Sequence, residues 1–127
     1  MHKIYHAKSN NVPLEQLDQD RQWIFDHFKD CEYIQHIKGE QYQPDKIQKA
    51  ELVIVSTPNH DDHVGRGVTG EILMMLDKIP VIQLKENKDG GLDPVFIKGI
   101  QIMNETKWDE RHAIIYLGNI AEYLENS

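Results

Sequence analysis

The chain reads as an α/β domain, a three-layer sandwich around a mainly parallel sheet of about five strands. Three observations predict it. Two short apolar runs, Leu52–Val55 and Val81–Leu84, have the unbroken character of strands covered on both faces. A helix-spaced apolar set, Leu14, Leu17, Ile24, Phe25 and Phe28, lies between two β-prone pieces. Strand-like and helix-like segments then alternate along the chain, as parallel strands joined by helical crossovers require.

Taken in order, Lys3–Ala7 carries the β-favouring Ile4 and Tyr5 and reads as the first strand. Lys8–Val12 is loop-like, and Pro13 suits the first turn of a helix predicted over Pro13–Lys29. Tyr33–Ile37 alternates apolar and polar residues, which suits a strand near an edge. Gly39–Pro44 breaks the pattern, and Asp45–Lys49 has room for one or two helical turns anchored by Ile47. Glu51–Ser56 is the central third strand and Pro80–Leu84 the fourth, with a helix over about Val68–Leu76 between them. Lys85–Asp93, charged and carrying Gly90-Gly91, reads as a mobile surface loop or lid. Gly99–Met103 is β-prone. Asp109 is placed to cap a last helix, along which Ala113, Leu117, Ile120, Ala121 and Leu124 share a face and Gly118 is tolerated.

Length and composition fit one domain spanning residues 1–127, with no internal repeat or boundary. Hydrophobic residues make up 39% and charged residues 28%, which argues against disorder. No apolar run reaches the ~20 residues of a membrane span, and MHKIYHAKSNN lacks the apolar stretch of a signal peptide. With Cys31 as the single cysteine, a reducing, cytoplasmic location is expected. A net charge of −7 works against binding nucleic-acid polymers, although a small anion can still be held by a few backbone N–H groups and cations.

In a parallel sheet, ligands bind at the carboxyl ends of strands where the strand order reverses. The loops after strands one, three and four, Lys8–Asn11, Thr57–Gly70 and Lys85–Gly91, are expected to meet there. Glu71 follows the glycine-containing run Gly65–Gly70 at a helix start. A carboxylate there either serves the helix terminus electrostatically or acts as a nucleophile or cation stabiliser at a sugar carbon. His60-Asp61-Asp62-His63 offers metal-type side chains, but four adjacent residues rarely converge on one ion. A ligand loop, with one Asp orienting a hydroxyl and Asn59, Arg66 and Gly67 alongside, is the favoured reading; no metal or cofactor is expected. Lys8, Ser9 and Asn10 either contact phosphate or sugar or, with Asn11, cap the next helix and face solvent. Tyr5 either points its hydroxyl into the crevice or packs in the strand. The run GRGVTG is neither a dinucleotide fingerprint nor a Walker loop.

Together KIYHA, IQKAELVIVSTPN, GVTGEI and KIPVIQL resemble the nucleoside 2-deoxyribosyltransferase-like family, which includes the deoxynucleoside 5′-monophosphate N-glycosidases. TIR domains are a weaker likeness. The resemblance implies a flavodoxin-like (Rossmann-like) fold and hydrolysis or transfer at the N-glycosidic bond of a small nucleoside or nucleotide. It further implies Glu71 as nucleophile, Tyr5 holding it, and Asp61 or Asp62 assisting the departing base. Lys8, Ser9 and Arg66 would take a 5′-phosphate. A homodimer is implied as well, in which Asn104 or Trp108 of a neighbour closes the site. The rival expectation is a non-catalytic module that sequesters or senses a nucleotide-derived signal in the same crevice.

Overall fold

A computed structural model describes residues 2–8, 12–35, 44–60, 63–65, 68, 71–72, 75–76, 78–97, 99–102 and 112–118. Its main sheet has five strands: β1 (His2–Lys8), β2 (Cys31–Gln35), β3 (Leu52–Ser56), β5 (Val81–Glu86) and β6 (Leu92–Phe96). Their order is β2-β1-β3-β5-β6. β1 pairs in parallel with both β2 and β3, and β3 with β5, whereas β6 is antiparallel to β5. The protein is therefore α/β with a mixed, mostly parallel sheet. The chain leaves β1 towards β2 and returns to β3 on the other side, so the strand order reverses between β1 and β3.

Alternation along the strands divides the core in two. Tyr5, Ala7, Val53, Val55 and Val81 meet Ile47 of the short helix α2 (Pro44–Gln48), and with them Val68, Ile72 and Met75. Ile4, Ile54, Ile82 and Leu84 instead meet Ile24, Trp23 and Phe28, from α1 (Leu14–His27) and the residue after it. Helical elements thus cover both faces, which is why β3 carries an unbroken apolar run. Each fully buried Val or Ile contributes roughly 1.5–3 kcal/mol of burial free energy. Val68, Glu71, Ile72 and Met75 are all helical and all buried, the spacing of one helix face.

Several expectations change. Leu14 and Phe25, assigned to the inner face of α1, are exposed, at 77% and 41%. Leu14 opens the helix directly after Pro13, before the stripe Leu17–Asp20–Ile24 turns inward. The predicted lid is shorter than expected: β5 runs to Glu86 and β6 starts at Leu92, so the open loop contracts to the tight hairpin turn 87–91. Asn87 pins it, its Oδ1 accepting from the Asp89 and Gly91 amides at 3.0 and 2.9 Å. Gly90 sits at φ +79, with nothing within 4 Å of where a Cβ would be. Gly90→Ala is therefore expected to cost about 1 kcal/mol from backbone strain alone, read as a lower urea midpoint. An unchanged midpoint would mean that the turn relaxes.

The last helix is also corrected. His112–Gly118 form a strand, β8, which pairs antiparallel with β4 (His63–Gly65) on one side and β7 (Gly99–Ile102) on the other. Ala113 and Leu117 fit a helical repeat, yet Ile114, Ile115 and Tyr116 are β-favouring residues, and two flanking strands satisfy the backbone of this one. Its proposed cap Asp109 and the face residues Ile120, Ala121 and Leu124 lie outside the described residues. No helix among the described residues is long and apolar enough to cross a membrane.

Candidate functional site

Two polar systems lie on opposite faces of the sheet beside the β1–β3 reversal. On the first face Tyr5 donates from its hydroxyl to Glu71 Oε1 at 2.9 Å. Both groups are buried, at 2% and 6% exposure. Tyr5 projects from β1 because the residues at odd positions of that strand face the Val68–Met75 side. Glu71 shares the buried face of its helix with Val68 and Ile72, so its carboxylate points into the protein instead of into solvent at a helix end. A buried carboxylate needs a hydrogen-bond donor, and the tyrosine supplies one. Gln83 Nε2 of β5 donates to Oγ1 of Thr57, the residue after β3, at 3.2 Å.

The second face holds a longer chain. His6, the residue after Tyr5, contacts the Tyr33 hydroxyl through Nδ1 and Ser56 Oγ, 2.7 Å away, through Nε2. Ser56 donates to Asp20 Oδ2 at 2.7 Å, and His60 Nε2 lies 3.0 Å from Asp20 Oδ1. His6, Asp20 and Ser56 are fully buried and His60 nearly so. Burial, followed by repulsion from Lys8 and Arg21, lowers the His6 pKa to about 3, so the ring is neutral. Burial also pushes the Tyr33 phenol up, which keeps its proton in place.

Neutrality fixes the direction of the chain. Ser56 spends its proton on Asp20, so its oxygen accepts from His6 Nε2–H, and His6 Nδ1 accepts from the Tyr33 hydroxyl. From His6 inwards the donors then point towards Asp20, which collects Ser56 on one oxygen and His60 on the other, while the Tyr33 hydroxyl at the outer end also lies 3.2 Å from Gln35 Oε1 as a donor. The Asp20 carboxylate is the sink of the network.

The turn after β3 is held from several directions. Asn59 and His60 both have positive φ, 55° and 57°, in successive non-glycine residues. Gln16 of α1 donates to Thr57 O at 2.6 Å and accepts from Asn59 N at 2.8 Å, and Lys85 Nζ donates to His60 O at 2.9 Å. Left-handed non-glycine residues persist where surrounding contacts over-determine them.

Of the candidates read from sequence, Tyr5 and Glu71 are brought together. Lys8 ends β1 opposite Ser56 in register, and Asn59 is an exposed residue of the strained turn. Asp61, Asp62, Ser9, Asn10, Asn11, Arg66, Gly67, Asn104 and Trp108 lie outside the described residues. Among the described residues no group of three or more His, Cys, Asp or Glu gathers as a metal site would require. Asp20 went unnoticed in the sequence, although one signal marks it. It falls between Leu17 and Ile24 on the apolar stripe of α1, where an acid must be buried and partnered.

A cavity of about 510 Å³ opens elsewhere, beside edge strand β2, with Lys3, Lys46, Lys49, Glu32 and Gln35 in its lining. Tyr33, the outer end of the polar chain, lies on its wall, while Tyr5, Glu71, Lys8 and Asn59 do not line it. Comparison of the chain with protein-family models, with curated proteins and with solved structures finds no match in any of the three.

Proposed function

We propose that this chain is a flavodoxin-like domain that cleaves or transfers at the N-glycosidic bond of a small nucleoside or nucleotide. The observation that carries the reading is the buried Tyr5–Glu71 pair on the first face of a mostly parallel sheet, beside the point where its strand order reverses. In this mechanism Glu71 attacks the anomeric carbon or stabilises its developing positive charge. Tyr5 orients the carboxylate by donating to Oε1. The base departs with a proton from an acid on the loop between β3 and the Glu71 helix, where Asp61 and Asp62 are candidates. Lys8, Ser9 and Arg66 are the proposed ligands of a 5′-phosphate.

The test is a thermal-shift screen over nucleosides, their 5′-monophosphates and NAD, followed by analysis of free base for every hit. Ligand at a hundredfold excess over Kd stabilises the fold by about 2.7 kcal/mol, enough to move the melting midpoint measurably. Free base accumulating with time supports the enzyme. A tight, intact complex without turnover supports the sequestering module instead. Given turnover, Tyr5→Phe is expected to lower kcat by roughly ten- to a hundredfold, the worth of one hydrogen bond to a charged group. KM is expected to change little, because that bond orients the nucleophile and does not touch the ligand.

A further inference from the structure

Three lysines line the cavity beside β2, in a chain whose net charge is −7. Register pairs Lys3 of β1 with Glu32 of β2, so these two residues are neighbours on one face of the sheet. Lys3 has the parity of Tyr5 and Ala7, which places it on the face that α2 covers. α2 meets that face through the buried Ile47, while Lys46 before it and Lys49 after it stay exposed. Between this short helix and the β1–β2 pair lies the cavity, whose 510 Å³ falls within the range of small-molecule sites. Among the described residues, neither the three lysines nor Glu32 forms an ion pair or a side-chain hydrogen bond. Like charges gathered without a counter-ion repel one another, and a bound anion relieves that repulsion.

We propose that this cavity binds a small phosphomonoester that also carries hydroxyl groups. Three lysines against one glutamate leave a formal charge of +2 in the lining. A phosphomonoester carries about −1.5 to −2 at neutral pH, which matches it. Lys3, Lys46 and Lys49 donate charge-assisted hydrogen bonds to the phosphate oxygens. Glu32 repels that group and therefore faces the other end of the ligand, where a carboxylate accepts from hydroxyls. Gln35 adds an amide that both donates and accepts. Sugar phosphates and nucleoside monophosphates share this chemistry. The site is separate from Tyr5 and Glu71, which do not line it, and it stands whether or not that pair cleaves a glycosidic bond.

Backbone amide chemical shifts of the full chain test the site, in titrations with glucose 6-phosphate, AMP, inorganic phosphate and uncharged glucose. Glucose 6-phosphate or AMP is expected to give saturable shifts centred on β2, Lys46 and Lys49, and glucose to give none. The tighter of the two identifies a sugar phosphate or a nucleotide as the source. Lys46→Glu combined with Lys49→Glu, both at exposed positions, is expected to weaken binding roughly tenfold or more. Lys88→Glu, an exposed reversal in the hairpin at the opposite edge of the sheet, is expected to leave it within about twofold. Glu32→Ala is expected to tighten inorganic phosphate and to shrink the advantage of glucose 6-phosphate over it, which a merely structural glutamate would not do. Shifts centred on the loops after β1 and β3 would place the ligand in the Tyr5–Glu71 crevice and overturn the assignment, as would no saturable shift with any phosphate. Equal losses in the Lys46/Lys49 and Lys88 variants would reduce the site to general surface charge. Inorganic phosphate binding as tightly as glucose 6-phosphate would overturn the hydroxylated ligand class. None of these failures touches the glycosidic reading, in which Lys46, Lys49 and Glu32 take no part.

Discussion

Glu71→Gln is expected to reduce release of free base by roughly 10³-fold or more while the protein stays folded. The side chains are close in size, and the amide still presents a carbonyl oxygen to the Tyr5 hydroxyl, which now sits 2.9 Å from Oε1. What the amide lacks is the charged oxygen that forms a covalent bond with the anomeric carbon or balances its positive charge. Because the loss falls on the transition state, it should appear in kcat, with ligand affinity held within a few-fold. The measurement is single-turnover base release alongside a thermal-shift titration with the same nucleotide. Full turnover in the variant would refute the mechanism. Retained binding with lost turnover would separate a catalytic carboxylate from one that only supports the fold, since a structural residue would move the melting midpoint first. Glu71→Ala is the less informative change, for it also removes the carboxylate that accepts from Tyr5 and deletes buried side-chain volume.

The central part of this architecture is legible because burial on two faces leaves a simple trace. β3 reads as an apolar run, α1 as a 3.6-residue stripe, and the short α2 as one anchor, Ile47, between polar neighbours. The misread segments are those in which two periods compete. Ala113 and Leu117 are four apart, as on a helix, but they belong to a strand because partners on both sides complete its hydrogen bonds. Lys85–Asp93 looks like an open loop because glycine and charge dominate it, whereas pairing of β5 with β6 and the Asn87 side chain reduce it to a turn.

The site follows the same logic. Tyr5 and Glu71 are separated by 66 positions, and no local pattern predicts that they meet. A family resemblance suggested the pair, and the alternating faces of β1 make the contact physically possible. The network around Asp20 has no such pointer. Its members come from β1, α1, β2, β3 and the turn after β3, and singly each is an ordinary polar residue. Only the position of Asp20 on an apolar stripe hints that an acid is buried and must be answered by donors elsewhere.

Acidification is expected to destabilise this protein through His6 before its carboxylates protonate. The native imidazole has its pKa lowered from 6.5 to about 3, mainly by burial and then by Lys8 and Arg21. Between those values the unfolded chain binds a proton at this residue and the folded one does not. Stability therefore rises with pH across the window; the contribution of His6 is fully present above about pH 6.5 and is lost as the pH falls towards 3. The limiting slope for one such group is about 1.4 kcal/mol per pH unit. Between roughly pH 6 and 5, ordinary carboxylates remain ionised, so the early part of the loss belongs to histidine. His6→Gln isolates it: the amide can donate to Ser56 and accept from Tyr33 without titrating. Urea midpoints measured for both proteins from neutral to mildly acidic pH should converge or cross as the wild type loses stability faster. Parallel curves would mean that His6 gains its proton within the fold. The donor order running from Tyr33 through Ser56 would then be wrong, because a charged His6 donates from both nitrogens and Tyr33 must accept.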